Sequence, residues 1–292
     1  MDLTNSGVCN PGGGALCSAQ AGALKALYEF YSIRGAKPRA VRGASGGDLN
    51  SPIFVQAFAD GGESIVTMEE MWKTISHRKV HTLIPHLYPR STGLFKLGPL
   101  KKMLRERLDV TKLVHSGIDY AVKATRYGTA PEVELRPQDD YFFDMLVASA
   151  SYPFMFKPQK IAGAYYGDAG INDNVPMARL IHAGCDTIFL ARPTPRVSKQ
   201  TLKHTDVRMF RLIFRVLGEL MDAQLNAQVS EIAQINRLIG AGFMPDKRKI
   251  RIIELEPSVS HDLGVMEFNA KKCAKAFDDS YRAARRTLSG LV

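Results

Sequence analysis

The chain is poor in cysteine, in long apolar runs and in acidic residues. Its four cysteines (Cys9, Cys17, Cys185 and Cys273) are scattered over 292 residues. They form no C-x-x-C and no finger-like pairing with histidine, which excludes a disulfide framework and structural zinc and points to a reducing compartment. No run approaches the ~20 apolar residues of a membrane span. The first residues lack the basic region and apolar core of a signal peptide. Together these absences predict a cytoplasmic protein whose contact with a membrane is peripheral. Asp and Glu number 29 against 39 Lys and Arg, a net charge of +10. Such an excess suits an anionic lipid layer or nucleic acid, or is simply a solvated basic face. No aromatic-basic RNA motif, finger spacing or basic zipper accompanies it, so nucleic acid is not an expected partner.

What is present reads as one domain spanning 1–292. Residues 60–130 mix charged helical stretches with a Pro/His/Gly-rich segment, and are expected to form a cap or insertion. Residues 196–248 are expected to be largely helical. Strand-like runs at 38–42, 186–191 and 249–255 alternate with helical patterns at 16–30, 49–58, 141–151, 176–182, 206–239 and 268–288. A hairpin is expected over 159–166. This alternation predicts an α/β fold, three layers α/β/α, with a mostly parallel central sheet. The stretch Leu3 to Cys9 holds poor strand formers apart from Val8 and predicts at most an irregular first strand.

Gly43-Ala44-Ser45-Gly46-Gly47 puts a serine in the G-x-S-x-G frame between a strand and a helix. A sharp turn there lifts the hydroxyl above the sheet, and Gly43 and Gly47 leave room for it. A serine hydroxyl also needs a base, and the reaction needs donors for the oxyanion. Backbone N–H groups of Gly12, Gly13 and Gly14, at the start of a helix, are candidate donors. The base has two kinds of candidate. Asp168, bracketed by Gly167 and Gly170, could be shielded enough to work as one. Alternatively one of the seven histidines (77, 81, 86, 115, 182, 204 and 261) serves, and only His261 follows a late strand.

These segments carry a resemblance. The Gly12–Gly14 loop, the Ser45 elbow, Val147-Ala-Ser-Ala-Ser-Tyr-Pro-Phe-Met-Phe156, Gly167-Asp-Ala-Gly170 and Asn172-Asp-Asn-Val-Pro176 occur in the order found in patatin-like phospholipases. The resemblance covers most of 8–195. It implies a three-layer α/β/α fold and a Ser-Asp dyad without a catalytic histidine. By it, Ser45 is the nucleophile, Asp168 the base, and the amides around Gly12, Gly13 and Gly14 the oxyanion hole. It implies hydrolysis of ester bonds in acyl lipids with no metal or other cofactor. Two positions depart from the pattern. Pro11 stands where the family's loop begins with Asp or Gly, and Leu16 where it carries Arg. A serine esterase or thioesterase with a histidine base, and a non-catalytic basic membrane-binding scaffold, remain the alternatives. A protein activator and a homo-oligomer stay open.

Within 206–239, arginines alternate with apolar residues. On a helix Phe210, Ile213, Phe214 and Leu217 share one side, and Arg208, Arg211 and Arg215 another. That arrangement suits a helix lying on an anionic bilayer, or a core helix with a solvated back.

Overall fold

A computed structural model describes residues 1–84, 92–128, 132–196 and 209–291. The central sheet holds β1 (Ser6–Asn10), β2 (Ala40–Gly43), β5 (Asp119–Tyr120), β11 (Thr187–Ala191) and β12 (Arg251–Leu255). Its order is β12-β11-β1-β2-β5, and every pairing is parallel. β1 sits in the middle, with Val8 opposite Phe189 on one side and Val41 on the other. The sequence led us to expect an irregular strand here. Instead two neighbours bond its backbone on both edges, and weak intrinsic preference is overridden by context.

Successive side chains of a strand point to opposite faces. Val8, Val41, Phe189, Ala191, Ile253 and Leu255 enter the larger core. Cys9, Ala40, Ile188, Leu190 and Ile252 enter or border the smaller one. Both faces are thus covered, as a parallel sheet requires. The larger core is closed by α1 (Cys17–Ser32), α3 (Glu63–Lys73) and α10 (Ala270–Ser289). The smaller is closed by α8 (Met177–His182) and the second half of α9 (Met209–Gly240), through Leu180, Leu225, Val229 and Ile232. The fold is α/β with helices flanking a parallel sheet.

The remaining strands form two small sheets. In one, β6 (Val122–Arg126), β7 (Glu132–Leu135), β9 (Gln159–Ile161) and β10 (Ala164–Gly167) run antiparallel in the order β7-β6-β10-β9. In the other, β4 (Gly93–Lys96) lies between β3 (Thr82–Leu83) and β8 (Phe154–Phe156). Helices α2 (Gly46–Gln56) and α7 (Phe142–Ser149) connect these sheets to the centre. Short helices α4 (His77–Val80), α5 (Gly98–Arg107) and α6 (Val110–His115) complete 60–130.

Arg192 follows β11 and is fully buried. It donates to Glu254 Oε2 at 2.6 Å, to Asn226 Oδ1 at 2.9 Å and to the Thr194 carbonyl at 3.2 Å. One guanidinium therefore ties β11, β12 and α9 together, using the rigid fork that suits arginine to several acceptors at once.

Candidate active site

Parallel α/β sheets bind ligands beyond the carboxyl ends of their strands. Three strand ends converge here. β1 runs into the Pro11–Gly14 loop, β2 into Ser45, and β11 into Arg192 and Pro193. Ser45 takes φ 51° and ψ −124°, a backbone state L-residues seldom adopt. The turn is tight enough that a side chain on Gly47 would drive into Asn10, with the Asn10 carbonyl carbon at 2.7 Å and the Pro11 oxygen at 2.8 Å.

Ser45 Oγ donates to Asp168 Oδ2 at 2.7 Å. The two residues are 123 positions apart in the chain and both are buried. Asp168 lies between β10 and a single 3-10 turn (Ala169–Ile171), where its Oδ1 accepts from Gly170 N–H at 2.8 Å. Its own backbone is pinned too: its N–H donates to the Ser151 carbonyl, and its carbonyl accepts from Thr125 Oγ1. Burial pushes the Asp168 carboxyl up to about 7, against the opposing pull of the Ser45 and Gly170 hydrogen bonds and the Lys123 charge. A carboxylate poised there can accept a proton near neutral pH.

The glycine loop comes within reach of the pair. Gly12 N–H is engaged, donating to the Asn174 carbonyl at 3.3 Å. The N–H groups of Gly13 and Gly14 have no acceptor among the described residues. Gly14 has φ 55°, and a side chain on it would strike Val265. Leu16, at the departure from the expected arginine, is half-buried against the core.

Ser45 and Asp168 open into an apolar pocket with about 580 Å³ of empty space, its open mouth included. Leu49, Val80, Leu97 and Leu100 line it, with Met155, Phe156 and Phe268 from the small sheet and the α10 approach. Phe214, Leu217 and Met221 of α9 also line it. The lining suits hydrocarbon.

None of the described histidines lines this pocket. His81 stacks on Phe95 with ring centroids 4.2 Å apart, and burial, helped by His77, holds its pKa down to about 4. His261 is bonded to Asp279 on α10 at 3.2 Å. His115 and His182 are exposed at helix ends. His86 and His204 lie outside the described residues, as do Arg208 and the side chains of Phe210 and Arg211. No group of three His, Cys, Asp or Glu able to hold a metal occurs among the described residues.

The family model for patatin-like phospholipases matches residues 9–181, more than half of the chain. The chain belongs to this family. No curated protein matches it. Among solved structures, VipD from Legionella pneumophila is similar at 12% identity and a TM-score of 0.42, with 98% of this chain and 66% of VipD covered. The chain thus spans about two thirds of the VipD structure.

Around Ser45 and Asp168 stand residues with no motif of their own. Lys123, 2% exposed, donates from Nζ to the Asp173 carbonyl and to Asp173 Oδ2, both at 2.7 Å. It supplies a buried positive charge to a site with two buried carboxyls, Asp168 and Asp48. A lysine inside a five-residue strand carries no sequence signal of its own.

Proposed function

We propose that the chain hydrolyses carboxylic esters of phospholipids or related acyl lipids through Ser45 and Asp168. The 2.7 Å bond from Ser45 Oγ to Asp168 Oδ2, at the floor of an apolar pocket, carries this reading. The Asp168 carboxylate takes the Ser45 proton as Oγ attacks the ester carbonyl. The Gly13 and Gly14 N–H groups, unpaired among the described residues, receive the oxyanion. The alcohol or lyso-lipid departs with the proton from Asp168, leaving the acyl group on Ser45. Water then attacks the acyl-enzyme and gives its proton to Asp168, which passes it to Ser45 Oγ as the Oγ–acyl bond breaks and the fatty acid leaves. The apolar lining takes the acyl chain.

Contact with a lipid surface belongs to the same reading. Leu212, Ile213, Val216 and Leu220 are exposed on the stretch of α9 whose Phe214, Leu217 and Met221 line the pocket. Phe154, 84% exposed, stands between the pocket residues Tyr152 and Met155. Such a rim suits peripheral insertion into an anionic interface, which a net charge of +10 would attract. Among the described residues no helix is long and apolar enough to cross a membrane. The test incubates purified protein with mixed phospholipid vesicles and identifies the products by mass spectrometry. Fatty acid and lyso-lipid are expected from wild type and neither from Ser45→Ala. Equal release by Ser45→Ala would overturn the assignment.

A further inference from the structure

A second polar chain reaches the proposed nucleophile from behind. Ser45 N–H donates to Ser149 Oγ at 3.2 Å, and Ser149 Oγ donates onward to Asp48 Oδ2 at 2.7 Å. Ser149 and Asp48 are fully buried, and the Asp48 carboxyl is held by the Ser149 hydroxyl and by the backbone N–H and ammonium charge of Lys123. Burying a carboxyl is costly, and neither group takes part in the steps above. Asp48 occupies the first turn of α2, and Ser149 ends α7. The chain therefore ties two separate helices to the one backbone N–H of the residue that adopts φ 51°.

We infer that Ser149 and Asp48 are positioning residues that clamp the Ser45 backbone in its strained state and so hold Oγ on Asp168. The inference rests on the reading of Ser45 as nucleophile. The logic is geometric. An N–H at the head of α2 has no acceptor within the helix. Ser149 Oγ supplies one, and Asp48 fixes the direction of that hydroxyl by accepting its proton. Without the clamp the Ser45 backbone could relax toward an ordinary conformation and carry Oγ away from the carboxylate. A misplacement of about 1 Å can cost ~10²-fold in rate.

The test compares Ser149→Ala, Asp48→Leu and Asp48→Asn with wild type. Turnover is measured on p-nitrophenyl butyrate, and exchange of the Ser45 amide proton by NMR. Ser149→Ala and Asp48→Leu should lower kcat by about tenfold or more with KM little changed, and speed Ser45 amide exchange by a similar factor. Asp48→Asn, whose amide oxygen can still accept from Ser149, should stay within about threefold of wild type on both measures. Should Asp48→Leu fail to fold, Ser149→Ala, which removes a single oxygen, decides alone. An unchanged kcat and unchanged Ser45 amide exchange in Ser149→Ala would overturn the clamp. A wild-type protein that hydrolyses nothing would instead remove the nucleophile reading. The amide measurement would then still decide the clamp, unchanged exchange refuting it and faster exchange supporting it.

Discussion

Replacing Asp168 by Asn should stabilise the protein at alkaline pH while removing its activity. The wild-type carboxyl is fully buried and titrates near 7 in the folded state, against 3.8 as its ordinary value. The folded state therefore binds the proton more tightly than the unfolded state. The resulting stabilisation is whole below pH 3.8 and is lost as pH rises through about 7. Between pH 5 and pH 8 the wild type should lose about 2–3 kcal/mol from this group. An Asn at the position does not titrate and loses nothing. Its Oδ1 can still accept from Gly170, and its amide can still contact Ser45. Asp168 also raises the pKa of Asp48, so removing its charge relieves a second buried carboxyl in the same direction. The melting temperature of Asp168→Asn relative to wild type should thus climb by about 4 °C between those two pH values, for a chain of this length. Thermal melts at several pH values measure it directly. Hydrolysis should meanwhile fall ~10²–10⁴-fold, the usual worth of a positioned base. A stability difference flat across the range would refute the buried-carboxylate argument. Retained hydrolysis would refute the role of the base.

Three further substitutions test crowding, backbone strain and the buried tether. Gly47→Ala should cost ~3 kcal/mol or more, because the new methyl group has backbone rather than a movable side chain in its way. Gly35→Ala, at φ 59° with open space around it, should cost only ~1 kcal/mol, and urea titration of the pair separates crowding from backbone strain. Arg192→Ala should cost about 3 kcal/mol in the same assay, since it leaves Glu254 with only Arg196 at 3.6 Å and frees α9 from the sheet. A loss under ~1 kcal/mol would mean that the tether is dispensable.

The parts of the site legible in the sequence are those where chemistry constrains the chain locally. Ser45 stands out because its turn needs glycine at fixed offsets, and Asp168 because a turn holds it between two glycines. The long helices were legible through their period, as α9 and α10 illustrate. The strands of the small sheet were not: β3, β4 and β8 have two to four residues each, too few for an alternation to register. β1 was misjudged because its strand character comes from its neighbours. The faces of α9 were also sorted imperfectly. Ile213 is exposed, whereas Phe214 and Leu217 turn into the pocket. Periodicity grouped them on one side but could not tell that a pocket divides that side. Asp48 and Ser149 meet across 101 positions, and nothing local to either announces the other.

The arrangement of the central sheet also bears on which piece of this polypeptide can fold by itself. β1 pairs along one edge with β11 about 180 positions later, and β12 follows only after α9. The stretch matched by the family model ends at residue 181, before either of those strands and before the α10 helix that covers α1. Expressed alone, that stretch would carry a bare strand edge and an uncovered apolar helix, features that invite aggregation. The matched stretch and the folding unit therefore differ in extent.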